Sequence, residues 1–204
     1  AEPPIEILFE EGAADGFPAR APVERWSASF DAWPIPGAVA TTWQLAASGS
    51  LVDTATTAGE VAYTADPDAA PATFYDGSSN GIWSVDVTYD WSEGAPGTFA
   101  SFVTAPLAAD TTVIGSGSVD LWIESDSDDT DLEVTISEIR PDGQEVYVQS
   151  GWLRASHRAL DDTESSALRP VHTHREADAA PLPAGVPELV RVELLPFAHP
   201  FRAG

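Results

Sequence analysis

From Trp83 to Trp91 apolar and polar residues alternate without a break: Trp83, Val85, Val87, Tyr89 and Trp91 are apolar, and Ser84, Asp86, Thr88 and Asp90 are polar. Successive side chains of an extended strand leave opposite faces, so a period of two means one buried face and one wetted face. The same alternation recurs at Ile5, Ile7 and Phe9; at Val39, Thr41, Trp43 and Leu45; at Val119, Leu121 and Ile123; at Leu132, Val134 and Ile136; and at Val190, Val192 and Leu194. No window of eleven residues carries a helical apolar stripe, which leaves room for a turn or two of helix near residues 161–168.

Turn chemistry separates these runs. Arg140-Pro141-Asp142-Gly143 places proline where a type I turn fixes φ and glycine where the chain needs freedom, so residues 132–139 and 145–153 should form a hairpin. Ser48-Gly49-Ser50 and Gly115-Ser116-Gly117 read as further turns, the acidic residues 126–131 as a loop between strands, and 66–72 as a low-complexity loop. Short antiparallel strands with very little helix predict an all-β chain, an antiparallel β-sandwich of the jelly-roll, galactose-binding-domain-like kind.

The 33 acidic residues face nine basic ones, all arginine, for a net charge of −24. Such a chain is a poor partner for nucleic acid or an anionic membrane, and no apolar run reaches the ~18 residues of a membrane span. The acidity also fits adaptation to high salt, although high-GC coding explains arginine in place of lysine equally well. Without cysteine there are no disulfides, thiolate nucleophiles or cysteine-ligated metals, and neither a cytoplasmic nor a secreted location is selected.

No G-x-S-x-G elbow is present, so the nucleophile of an α/β-hydrolase is not in this chain; Gly115-Ser116-Gly117-Ser118 lacks the spacing and runs into a strand. His172 and His174 share a face if extended and would need a third ligand, such as His157 or His199, to hold zinc; structural or interface histidines are the preferred reading. Asp126, Asp128, Asp129 and Asp131 have the composition of a calcium loop but neither its glycine nor its distal glutamate, so a solvated loop is expected. No cofactor and no metal are predicted. Of the tryptophans at 26, 33, 43, 83, 91, 122 and 152, most read as core. Trp122, opposite in parity to Leu121 and Ile123, should face outward.

Several runs in fixed order then carry a more specific signal: residues 119–126, Asp129-Thr130-Asp131, Pro141-Asp142-Gly143, and Gly151-Trp152-Leu153-Arg154-Ala155-Ser156-His157-Arg158. Together they resemble the C-terminal jelly-roll domain of the X-Pro dipeptidyl-peptidase/CocE-NonD family of serine hydrolases. Val190 to Leu194, Pro196, His199 and Phe201-Arg202-Ala203-Gly204 extend the resemblance, as do residues 5–12 and 30–34. It implies a sandwich that packs on an α/β-hydrolase domain, in the same or a cleaved parent polypeptide, and helps wall its active site, with the triad lying entirely in that other domain. Residues 1–204 are accordingly expected to form a single β-sandwich domain that lacks its last strands and has no catalytic domain. Trp152, Arg154, His157, Arg158 and His174 are the candidates for interface or substrate-pocket residues; otherwise they tie the sandwich together. The alternative function is a free-standing carbohydrate- or protein-binding module. Oligomeric state stays open.

Overall fold

The computed structural model describes residues 5–10, 24–66, 68 and 93–204. It is all-β and antiparallel. The strands are β1 (Ile5–Glu10), β2 (Glu24–Phe30), β3 (Gln44–Leu45), β4 (Leu51–Val52), β5 (Thr111–Ile123), β6 (Asp131–Ile139), β7 (Glu145–Arg154) and β8 (Glu188–Phe201). Two single turns of 3-10 helix, Ala155–His157 and Glu176–Asp178, are the only helical elements among the described residues. The strands pair as β1–β2, β3–β4, β5–β8 and β6–β7. The alternating run 83–91 lies outside the described residues.

The chain divides into two compact units: residues 1–112, 138–147 and 199–204, and residues 113–137 and 148–198. In the first unit β1 and β2 pair from Ile5 opposite Phe30 to Phe9 opposite Trp26. Phe9 is buried under Trp26, whose ring stacks on it at 3.7 Å and 11°. In the second unit Leu132 of β6, Leu153 of β7 and Val190 and Val192 of β8 meet in one core with Ala155 and Leu182, and Leu121, Ile123 and Val134 pack against it. Leu121, Ile123, Leu132, Val134, Leu153, Val190 and Val192 each belong to the apolar row of their strand, so the period of two supplies the strand side of this core, which Ala155 and Leu182 complete from outside the strands. Full burial of such side chains stabilises by about 1.5–3 kcal/mol each.

The turn at 140–143 forms as its sequence predicts. Gly143 has φ of 82°, its amide donates to the Arg140 carbonyl at 2.8 Å, and Asp142 Oδ1 accepts from the Gln144 amide at 2.9 Å. Ser48-Gly49-Ser50 likewise turns between β3 and β4, with Gly49 at φ 79°.

Three expectations need correction. Gly115-Ser116-Gly117 is not a turn but the interior of β5; Gly117 is there because a Cβ would come within 3.1 Å of Leu194 Cδ1, so the glycine marks close packing. The strand expected over 39–45 shrinks to Gln44–Leu45, because Val39 is 83% exposed and an alternation with nothing to bury does not hold a strand. Residues 161–168 hold no helix; Asp161 caps a single turn, accepting from the Thr163 amide and hydroxyl at 3.0 and 2.7 Å.

Candidate functional site

At the end of β7 the chain turns through Ala155–His157, and the acidic loop ahead of β6 is tied to that turn. The Ala155 amide donates to the Thr130 carbonyl at 2.9 Å, and Asp129 accepts from the Ser156 amide at 2.8 Å and its hydroxyl at 2.7 Å. Asp131 takes Arg154 in a two-pronged pair, 2.7 Å to Nε and 2.8 Å to Nη2. The Arg154 hydrogen bonds hold the Asp131 carboxyl below its ordinary value. Burial works upward on Asp129, but the Ser156 and Thr130 donors and the Arg154 charge outweigh it, and its carboxyl also lies low. Two of the four aspartates of the calcium-like loop are therefore engaged with protein donors. Among the described residues no group of three histidine or acidic side chains is arranged to hold a metal ion.

Above this clasp lies a shallow cleft of about 380 Å³. It is lined by the apolar Leu132, Leu153 and Trp152, by the Asp131–Arg154 pair, and by His157 and His174. Four of the five residues singled out in the sequence, Trp152, Arg154, His157 and His174, are thus brought together. Trp152 occupies an outward position of β7 and is 54% exposed. His174 reaches the cleft through a backbone with φ of 51°, an uncommon conformation for a residue with a Cβ.

Arg158 sits elsewhere. Its guanidinium donates to the carbonyls of Ala155 (3.2 Å), Ala180 (2.6 Å) and Pro181 (3.3 Å), and to the Glu188 carboxylate at 3.3 Å. With its side chain only 15% exposed, it is a clasp holding the segment before β8. Arg158→Met keeps the aliphatic stem and removes these bonds. It should lower stability by about 2 kcal/mol, read from the urea midpoint; an unmoved midpoint would show the clasp to be idle.

One buried polar group escaped the sequence reading. Glu138 ends the inward row of β6 at 4% exposure, and its Oε2 lies 3.2 Å from His199 Nε2, itself 3% exposed. The Arg202 amide donates to Glu138 Oε1 at 2.9 Å and Arg140 Nε to Oε2 at 3.3 Å. Burial pushes the carboxyl upward, but the His199, Arg202 and Arg140 donors bring it below its ordinary value. The signal available was parity: Glu138 continues Leu132, Val134 and Ile136 in the apolar register.

Most tryptophans are not core. Trp26, Trp33, Trp43, Trp122 and Trp152 are 38–73% exposed, Trp122 the most, as its parity predicts; Trp83 and Trp91 lie outside the described residues. The interior is filled instead by valine and leucine from the alternating rows.

Comparison with known proteins gives the frame for this geometry. Over 106 residues the chain is 33% identical to Mb1866c of Mycobacterium bovis and to MT1883 of Mycobacterium tuberculosis, both named provisionally as serine esterases. That stretch is 51% of this chain and 17% of each relative, so the match spans about a sixth of their length. Crystal structures of SACOL2612, a CocE/NonD family hydrolase from Staphylococcus aureus, share the fold. One superimposes with a TM-score of 0.62 at 24% identity over 98% of this chain and 31% of its own, the other with 0.58 at 24% over 87% and 29%. The family model of the X-Pro dipeptidyl-peptidase C-terminal non-catalytic domain matches residues 1–204, and with the all-β fold on the page the chain belongs to that family.

Proposed function

We propose that residues 1–204 serve as the C-terminal β-sandwich of a serine hydrolase, docked on an α/β-hydrolase domain of the same or a cleaved parent polypeptide. The hydrolase domain carries the nucleophile, base and orienting acid. The reaction is acyl transfer to water through an acyl-enzyme, at an ester, an amide or a peptide bond after proline. The observation that carries the reading is the exposure of Trp152 at the cleft beside Arg154, His157 and His174, in a chain whose family is non-catalytic. An apolar ring held half out of water beside a fixed ion pair is suited to wall a neighbouring pocket. The serine-esterase names of the mycobacterial relatives favour the same class of chemistry.

The test is Trp152→Ala in the complete polypeptide, assayed on an Ala-Pro anilide and a short-chain ester. A fall in kcat/KM of about tenfold is expected, equivalent to about 1.4 kcal/mol of transition-state stabilisation. Unchanged kcat/KM together with an unchanged Tm would remove the cleft from the active-site wall. The 73% exposure of Trp122 favours a second reading, a free-standing glycan-binding module. It predicts tryptophan fluorescence that responds to oligosaccharides without turnover, and silence across a glycan panel would end it.

A further inference from the structure

Three of the four histidines stand in a row in the second unit. His157 and His174 have ring centroids 6.1 Å apart, and His174 and His172 5.7 Å apart. His157 and His174 line the cleft, while His172 lies in a strap, residues 160–174, that doubles back on itself. The far end of the strap is pinned by Ser165, whose hydroxyl accepts from the Val171 amide at 2.9 Å, and by Arg191, which donates to the Ala167 carbonyl at 2.9 Å; the end that carries His172 is closed by backbone pairing alone. Leu160 and His172 form an isolated antiparallel bridge, the Asp161 amide donates to the Val171 carbonyl at 2.7 Å, and the Thr173 amide to the Ala159 carbonyl at 3.0 Å. His172 Nε2 is buried without a hydrogen-bond partner.

The groups facing His172 are few and known. Burial and then the neighbouring His174 imidazole oppose its charge, and Arg191 adds to that opposition. A hydrogen bond to the Arg191 backbone and the Glu193 carboxylate favour the charge, but Glu193 is already engaged by Arg169 at 3.4 Å. The balance holds the imidazole below its ordinary value of 6.5. A proton added at Nε2 would create a buried N–H donor with no acceptor, beside the His174 ring 5.7 Å away.

We propose that this histidine row is an acid-triggered catch: when His172 gains a proton, the strap at residues 160–174 opens, and the His174 wall of the cleft goes with it. The sign follows from linkage. A group whose folded form disfavours protonation contributes stability above its unfolded value near 6.5, and that contribution is lost as pH falls below it. Glu138 does not respond in this window, because its carboxyl is held below 4.5. A pH between 5 and 6 therefore addresses the catch and leaves the buried Glu138 pair intact. The catch exists whether or not the cleft walls a hydrolase pocket, since its readout is the strap itself.

Amide hydrogen exchange on the full 204-residue chain at pH 7.5 and 5.5, corrected for intrinsic rates, tests it. The Asp161 and Thr173 amides should lose protection severalfold at pH 5.5, bounded at about tenfold per pH unit for one proton, while amides of β7 hold theirs. His172→Phe, which keeps a ring and removes the titration, should abolish the difference. Equal protection of Asp161 and Thr173 at both pH values would overturn the proposal, as would a pH response that survives in His172→Phe. Should that variant fail to fold, the wild-type His172 ring resonance decides: titration below about 6.5 supports the catch, and titration at or above it overturns the catch.

Discussion

Gly151→Ala is expected to cost the protein about 3 kcal/mol or more and to compromise folding at ordinary temperatures. Gly151 lies in β7, and a Cβ there would stand 1.8 Å from the Glu193 backbone oxygen of β8 and 2.8 Å from its carbonyl carbon. Backbone cannot rotate out of the way as a side chain can, so the two strands would have to separate. That separation opens the core shared by Leu153, Val190 and Val192. The companion variant Gly117→Ala meets only the Leu194 side chain, most closely its end at Cδ1, 3.1 Å away, and should cost about 1 kcal/mol. Urea midpoints of the two variants check the contrast. A mild Gly151→Ala would mean that β7 and β8 are not held as described.

Glu138→Ala should be the second large loss, about 3 kcal/mol, because it strips a buried His199, the Arg202 amide and Arg140 of a shared acceptor at once. The same carboxylate makes a pH prediction. Its folded value lies below the ordinary 4.5, so it contributes stability at pH above 4.5, and that contribution disappears as pH falls through the folded value. Acid denaturation of the wild type below pH 4.5 should thus contain a component that Glu138→Gln lacks. Wild type and Glu138→Gln losing stability in parallel below pH 4.5 would assign the acid sensitivity to other carboxylates.

The strands were legible because burial on one face writes itself into the sequence as a period of two. Residues 5–9, 119–123, 132–136 and 190–194 all lie in strands that keep this register. The hairpin at 140–143 was legible because proline, aspartate and glycine each have one geometric job there. Gly115 and Gly117 misled for the opposite reason: glycine signals either a turn or a close approach, and only the neighbour across the sheet, Leu194, decides which. The exposed tryptophans misled because size and apolarity say only that a ring gains from burial, not that this chain supplies the cover.

For the candidate site, the run from Gly151 to Arg158 contributes Trp152, Leu153, Arg154 and His157 to the lining of one cleft. It could not separate Arg154, tied to Asp131 at the cleft, from Arg158, tied to three carbonyls and Glu188. That distinction depends on loops distant in sequence, at residues 129–131 and 180–188. Glu138 escaped because a lone acid in an apolar row looks like a strand end until His199, 61 positions later, is placed against it.

As the proposed C-terminal sandwich, this chain would shape a serine hydrolase whose nucleophile lies in another domain. The most direct measurement is labelling of the complete native polypeptide with a serine-directed fluorophosphonate, followed by peptide mapping. One labelled serine is expected, outside residues 1–204, with no label on the 204-residue chain by itself. A stoichiometric label on any serine within residues 1–204 would contradict it.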